Sequence, residues 1–545
     1  MADEILKARA IAGIGRLARA VGKERFKPFL EVVSQKVVAC LRKKEVFELV
    51  AAGFSYFADI ARVLLTEFAP MLNSLVPLVI ETCKSDQGLE LEFRKSSKDN
   101  IDIGIDEEAE QTAVGFDSSF MDQKTAALHA LGIFAITCPK EFTPYMKDCI
   151  ETLDIIWNYF DETVREQVVQ TYQQFVESLN LAYYGTESHP KPIAGLPAKV
   201  KLAPDAYKLY YKIVLPKYIE QIKNDEEKSV VIQVLESLAD LCSCIGPAVV
   251  EDNLNAILDA ILMLLNKKAK CLNTEEDENE GMESDDEEDS DATLMKNLIQ
   301  LISEVLKGCG EAILPEMKNI FMAAENYLKP KRDELDWENG IACFASFFQS
   351  FPSIIPSYAP SILPLCFKCC TSDNDGLIQN SAYCIGVVVE KAKSLVEPYI
   401  NDMLQALKNA YENSSIQEGK DNAVSSLLRM LVAYNDKLPL ELIVPAIFEN
   451  IPLKGDLEEN ICVSKSLLML APDYYQSNDK YLENILMTLV RTIVDDDCGA
   501  EDEDKMLIGK YLLKMNGIGK VEMKLRGMIS KMSQTELNDL QKFMS

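Results

Sequence analysis

The sequence predicts an all-α fold, a superhelical solenoid built from tandem helix pairs, and three observations carry that prediction. One short phrase recurs with an asparagine in the same place: Met295-Lys-Asn297-Leu-Ile, Trp337-Glu-Asn339-Gly-Ile, Ile378-Gln-Asn380-Ser-Ala, Lys420-Asp-Asn422-Ala-Val and Glu458-Glu-Asn460-Ile-Cys. The asparagines fall at intervals of 42, 41, 42 and 38 residues. Two apolar runs of helical period fill each interval, with no strand-like alternation. At 545 residues the chain is too long for one ordinary core, yet it holds no flexible linker between two globular parts. A period near 40 with two helices per period is the mark of HEAT or armadillo units, in which neighbours cover the apolar face that a single pair leaves bare. We read residues 1–545 as one HEAT-repeat solenoid of about eleven helix pairs.

Taken in order, Asp3 to Val21 carries Ile5, Leu6, Ile11, Ile14 and Leu17 on one side, with Gly22 just beyond its end. It reads as the second helix of a repeat whose first helix is absent, so the chain is expected to be a fragment of something longer. Phe26 to Leu41 and Glu45 to Phe68 supply the next first and second helices. Residues 85–120 break the period with mixed charges, Arg94-Lys-Ser-Ser-Lys98 and Asp106-Glu-Glu-Ala-Glu110, and read as a polar insertion. Periodicity resumes over Met121 to Cys138, Phe142 to Tyr159 and Asp161 to Leu181, where Asp161-Glu-Thr-Val-Arg165 places acids at the positive end of a helix. Residues 183–204 hold Pro190, Pro192, Pro197 and Pro204, which forbid a regular helix, so this stretch is a connector.

Asp205 to Asn224, Glu226 to Cys244 and Val249 to Ala269 continue the alternation. Residues 274–291, TEEDENEGMESDDEEDSD, carry 12 acids and no base, and are expected to form an extended, disordered loop. Such a block either adds solubility or tethers a polyanion beside a basic partner. From there second helices begin near Ala292, Glu334, Asp375, Gln417 and Asp456, and first helices near Leu314, Tyr358, Glu397 and Pro439. Tyr481 to Val494, Glu503 to Met515 and a short helical end near Met544 close the chain.

The balance of 56 Lys+Arg against 86 Asp+Glu leaves −30, which argues against nucleic acid or an anionic membrane surface and favours a basic partner. The 15 cysteines lie singly in helical segments, without the spacing of a disulfide framework, which suits a reducing compartment. Cys366, Cys369 and Cys370 cluster, but with two histidines in the chain, His129 and His189, buried thiols are expected rather than a zinc site. No stretch reaches about 20 uninterrupted apolar residues, and MADEILKARA has no secretory pattern, so a soluble, intracellular chain is expected.

No catalytic constellation emerges. Gly517-Ile-Gly-Lys520 lacks the spacing and hydroxyl of a phosphate loop, Gly13-Ile-Gly15 follows no strand, and neither HExxH nor GxSxG occurs. We expect no enzyme and no cofactor. Binding chemistry is better represented, because Glu338, Asp421 and Glu459 precede three of the column asparagines, with Asp336, Trp337 and Glu458 nearby. An asparagine carbonyl beside carboxylates accepts the donors of a lysine ammonium, while the amide grips a peptide carbonyl. The candidate binding set for a basic peptide is therefore Asn297, Asp336, Trp337, Glu338, Asn339, Asn380, Asp421, Asn422, Glu458, Glu459 and Asn460. Two plainer roles remain open for it. The asparagines also suit a ladder that ties each helix to its neighbour, and the acids also suit helix N-termini. Trp337 fits either a lysine stem or inter-repeat packing.

A family resemblance enters at these residues. Gln123-Lys-Thr-Ala-Ala-Leu-His-Ala-Leu-Gly132, Phe142-Thr-Pro-Tyr145 and Val164-Arg165 resemble the repeat phrases of importin-beta-type nuclear transport receptors (karyopherins). Ile451-Pro-Leu-Lys-Gly-Asp-Leu-Glu-Glu-Asn460 resembles a Leu-Pro-Leu-x-x-Asp-x-Glu-Glu phrase in the carboxy-terminal part of the importin-four and importin-five branches, and the asparagine after it favours importin-four. The resemblance implies a receptor that carries histones, H3 and H4 among them, or ribosomal proteins by lysine-rich signals. It implies passage through pores by Phe-Gly nucleoporins and release by Ran-GTP, with Glu458, Glu459 and Asn422 on cargo. About half of a typical receptor has no counterpart here, which puts a complete Ran switch in doubt. The competing reading is a HEAT scaffold subunit of a multi-protein complex.

Overall fold

The structure is a computed structural model that describes residues 2–44, 46–86, 118–186, 188–272, 285–470, 479–515 and 519–544. Among them there is no strand, and the helices alternate as first and second members of close to eleven pairs. The chain divides into two compact units, Met1–Glu316 and Met317–Ser545. The first unit holds α1 (Ala2–Val21), α2 (Lys23–Leu41), α3 (Phe47–Leu64), α4 (Ala69–Lys84), α5 (Ser118–Thr137), α6 (Met146–Ile156), α7 (Glu162–Tyr184), α8 (Leu215–Asn224), α9 (Lys228–Ile245), α10 (Leu254–Leu265) and α11 (Asp285–Cys309). Odd-numbered helices are the second members, and each packs on the next, α1 on α3 through to α9 on α11. A helix covered on both sides must be apolar nearly all round. Accordingly Leu128, Leu131 and Phe134 of α5, Val168, Tyr172 and Phe175 of α7, and Val231, Val234 and Leu238 of α9 are all buried.

The apolar stretch Phe47–Lys84 is long enough, by length and composition, to cross a membrane. Here it breaks at Leu65, where φ is 52°, into α3 and α4, and Phe54, Tyr56, Phe57, Leu72 and Val76 are buried within the protein. Polar groups bolt successive repeats of this unit together. Arg165 grips Asp225 at the start of the next pair through Nε (3.0 Å) and Nη2 (3.1 Å), and its Nη1 donates to the carbonyls of Tyr159 and Phe160. Lys124, fully buried, donates to the Cys83 carbonyl at 2.7 Å and so satisfies the end of α4. Burial holds its ammonium below the usual lysine range. The proline-rich connector is ordered: Asn180 accepts from the Ala203 amide at 2.9 Å, Glu251 from Ala198 at 3.2 Å, and the Gly195 amide reaches the Gly308 carbonyl at 2.8 Å.

Three expectations of element limits are corrected. Residues 118–120, assigned to the polar insertion, open α5 instead, and residues 87–117 lie outside the described residues. Residues 285–291, assigned to the acidic loop, form the first turns of α11, while 273–284 lie outside the described residues. The end of the chain carries two helices rather than one.

The second unit holds α12 (Lys318–Tyr327), α13 (Glu334–Ser350), α14 (Ile355–Cys369), α15 (Asp375–Lys391), α16 (Ile400–Asn413), α17 (Gln417–Tyr434), α18 (Leu440–Phe448), α19 (Glu459–Met469), α20 (Asp479–Val494), α21 (Asp502–Met515), α22 (Gly519–Ile529) and α23 (Gln534–Phe543). Its second helices α13, α15, α17 and α19 stack in sequence. Asp333 and Asn374 cap α13 and α15 by accepting from the Asp336 and Leu377 amides, and Ser533 with Glu536 forms a capping box on α23. Cys366, Cys369, Cys370 and Cys384 are buried together. A hydrogen bond with Cys384 and burial raise the Cys366 thiol, and burial pushes Cys369 up to about 11.

Candidate functional site

The recurring asparagines all lie on second helices, as the sixth residue of α13, α15 and α17 but the second of α19 and the thirteenth of α11, and they do unequal things. Asn297 lies in the first unit, half-buried on α11, and donates to the Thr293 carbonyl one turn back at 3.0 Å. In the second unit Asn339 and Asn380 are half-buried, whereas Asn422 and Asn460 are buried, at 1% and 2% exposure. Asn460 is a ladder rung: its Oδ1 accepts from the Leu453 amide at 3.0 Å and its Nδ2 donates to the Leu453 and Leu457 carbonyls. Asn422 donates to the Glu418 carbonyl (3.0 Å) and to Asp456 Oδ2 (2.9 Å), which leaves its buried Oδ1 with no partner among the described residues. Within the second unit, then, Asn460 is fully used as a rung whereas Asn422 keeps one acceptor unused among the described residues.

The acids around α13 form one group. Asp336 is buried and paired with Arg332 at 3.0 Å. Trp337 donates its indole N–H to the Lys329 carbonyl at 3.0 Å, and the Lys368 ammonium lies 4.4 Å from its ring centroid. The cation over this tryptophan is therefore the chain's own, at the edge of a groove of about 500 Å³ lined also by Tyr358, Pro364 and Leu365. Glu338 is half-buried, and burial raises its carboxyl despite a hydrogen bond from Asn374. Its Oε1 would sit 2.4 Å from a Cβ at position 376, so Gly376 at the start of α15 gives this carboxylate its room.

A second, denser group forms where α15, α17 and α19 meet. Asp421, 1% exposed, accepts from three consecutive backbone amides, Lys454 (2.7 Å), Gly455 (2.7 Å) and Asp456 (3.1 Å), and fixes the loop that precedes α19. That loop carries Asp456, Glu458 and Glu459. Glu458 is exposed. Glu459 accepts from Ser425 Oγ at 2.5 Å and from Arg429 Nη2 through both oxygens, at 3.0 and 3.1 Å. Burial, and then the Glu459 charge, push Asp456 up to about 6, although Asn422 donates to it.

Arg429 was not singled out by the sequence, and the structure places it at the hub. It is 5% exposed and its Nε lies 3.2 Å from Glu390 Oε2 and 3.0 Å from Cys462 Sγ, with Tyr383 beneath it at 5.6 Å. Gly386 leaves the space: a Cβ there would meet Arg429 Nη1 at 2.6 Å. Burial works against the guanidinium charge, but Glu459, Cys462, Tyr383 and Glu390 outweigh it and raise its pKa. Burial likewise opposes the Glu390 charge, yet Lys391 and Arg429 hold that carboxyl below its ordinary value. A readable signal did exist, namely one arginine inside the apolar run Val424-Ser-Ser-Leu-Leu-Arg-Met-Leu-Val432. Three carboxylates, Glu390, Asp456 and Glu459, thus share two cations, Arg429 and, on Glu390 at 2.9 Å, Lys391, beside one amide oxygen that has no donor among the described residues. Such a group can accept a further hydrogen-bond-donating cation.

No family model matches the chain. A probable importin subunit beta-4 of Schizosaccharomyces pombe is 24% identical over 500 residues, 88% of this chain and 46% of that protein. Human importin-4 is 21% identical over 502 residues, 89% of this chain and 45% of that protein. The chain spans about half the length of the curated relatives it matches. Among solved structures, the karyopherin Kap121p bound to the SUMO protease Ulp1p superposes with a TM-score of 0.69 at 17% identity, over 99% of this chain and 48% of that one. Kap121p bound to RanGTP superposes with a TM-score of 0.64 at 17% identity, over 99% and 49%. At that identity the solved structures establish the solenoid fold.

Proposed function

Because the homologues of this chain are importin-beta family members, importin-4 among them, we propose that it is the cargo-binding carboxy-terminal part of a nuclear import receptor. In this reading it shuttles between cytoplasm and nucleus and holds lysine-rich segments of histones or ribosomal proteins on the acidic, asparagine-lined second-helix face of the second unit. Ran-GTP and Phe-Gly nucleoporins are partners of the longer receptor. The observation that supports it most is the acceptor surplus around Asn422: a buried amide oxygen without a donor among the described residues, on a side chain bonded to Asp456, with Glu458 exposed two residues further along the same loop. A lysine ammonium offers three donors on a flexible stem and supplies what that group lacks. Glu338, Asn339 and Asn380 extend the face along the preceding repeats. Asp336, Asp421 and Asn460 contribute by fixing the loops and helix ends on which the face is built.

Calorimetric titration with histone H3 and H4 tail peptides, against an acidic control peptide, tests the proposal. Saturable binding of the basic peptides is expected, weakening as salt rises, since exposed charges are screened beyond about 8 Å at 0.15 M. Equal binding of the acidic peptide, or no binding of the tails, would overturn it.

A further inference from the structure

We propose that Arg429 is a resident counter-cation of the acidic face, whose guanidinium occupies the Glu459 and Glu390 carboxylates and so sets both the affinity and the lysine-over-arginine selectivity of that face. The inference rests on the lysine-binding reading above and concerns how that site is regulated. Nε is held 3.0 Å from Cys462 Sγ and 3.2 Å from Glu390 Oε2, while both Glu459 oxygens receive Nη2. The helix α17 that carries Arg429 also carries Asn422, about two turns earlier on the same side, and Asn422 donates to Asp456 on the loop before α19. One helix therefore presents a cation to one pair of acids and an amide to a third.

The occupancy is incomplete in two places. Among the described residues Arg429 Nη1 is buried without a partner, and so is Asn422 Oδ1. A guanidinium with a bare N–H, beside an amide oxygen it does not reach, is not the arrangement that maximises internal hydrogen bonding. It leaves one acceptor, Asn422 Oδ1, without a donor beside Asp456. A flat five-donor guanidinium from outside would compete with Arg429 for the same carboxylates, whereas a compact ammonium needs only the acceptors that Arg429 leaves over. The face should accordingly prefer lysine because its guanidinium position is already taken.

The test compares the whole chain with Arg429→Met, which keeps most of the side-chain length and removes the charge. The probes are an H3 tail peptide and the same peptide with every lysine replaced by arginine. Freed carboxylates gain charge-assisted hydrogen bonds, so the variant should bind the lysine peptide at least about tenfold more tightly. It should gain more for the arginine peptide, narrowing or reversing the preference. Damage to the fold weakens binding, so a gain separates this role from a purely structural one. Arg429→Lys, which keeps a charge but loses the fork, covers the case in which the methionine variant does not fold; a smaller gain in the same direction is expected. Wild-type binding with unchanged or weaker binding by folded variants, or an unchanged lysine-to-arginine ratio, overturns the inference. A wild-type chain that binds neither peptide overturns the cargo reading instead.

Discussion

The two units bury charge between their repeats in different ways. In the first, Arg165 meets one carboxylate and two carbonyls, and the pair is close to balanced: Asp225 also accepts the Glu227 amide at 2.9 Å. In the second, Arg429 faces Glu390 and Glu459, with Asp456 against Asn422 nearby, and an amide oxygen and a guanidinium nitrogen are left over. A balanced pair across a repeat joint is a bolt. An unbalanced one keeps acceptors in reserve, which costs desolvation with no internal return, and such surpluses cluster where something else is to be bound. The contrast sets one balanced joint of the first unit against one unbalanced joint of the second, the joint at which the lysine site is proposed.

The largest effect should come from breaking the balanced bolt. Arg165→Ala leaves Asp225, whose side chain is 4% exposed, as an uncompensated charge. A loss of about 3–5 kcal/mol is expected. Denaturant unfolding should show a lowered transition for the first unit, and hydrogen exchange should quicken at α7 and α9. Peptide binding by the second unit should be retained. A loss of binding equal to that of the second-unit variants would erase the contrast.

Next comes the surplus itself. Asp456 titrates near 6 in the folded chain, above its ordinary 3.8, so the native state holds its proton longer than the unfolded state does. Below about pH 4 both states are protonated and the group is neutral to stability. Between about 4 and 6 the native state binds more protons, so its contribution worsens as pH rises and the full cost is present above about 6. Asp456→Asn keeps an acceptor for Asn422 and removes that cost. The variant should be more stable than wild type by about 1–3 kcal/mol at pH 8, and the gain should vanish towards pH 4. A pH-independent difference would mean that Asp456 is not strained. The same variant should bind lysine peptides less well at pH 8, a stabilising change that costs function.

This contrast was only partly legible in the sequence. The repeat was, because a period near 41 with Asn297, Asn339, Asn380, Asn422 and Asn460 in register is a one-dimensional signal. What each asparagine does was not, since Asn460 folds back on Leu453 while Asn422 reaches Asp456, and that depends on a loop whose path Asp421 sets through three amides. Likewise Glu459 reads as a lysine ligand until Arg429, 30 residues earlier, is brought against it by the stacking of α17 on α19. The acidic run misled in part: composition forecasts an extended loop over residues 274–291, but residues 285–291 open α11.

The smallest effect sharpens the comparison most, because it separates the surface of the acidic group from its interior. Glu458 is exposed and, among the described residues, no hydrogen bond ties its side chain to the repeats, whereas its neighbour Glu459 is held by Arg429 and Ser425. Glu458→Ala should leave the unfolding midpoint within about 0.5 kcal/mol of wild type, as surface substitutions do. Its effect on an H3 tail peptide should be a weakening of about two- to fivefold, the scale of one solvent-exposed ion pair, and the effect should disappear at high salt. Glu459→Ala offers the matched control. It should lower stability by stripping Arg429 of its principal partner, and any change in binding should persist at high salt because the groups involved are buried. If both variants behaved alike, in stability and in salt response, the distinction between a reserved surplus and an internal bolt would fail at the residue pair where it is easiest to measure.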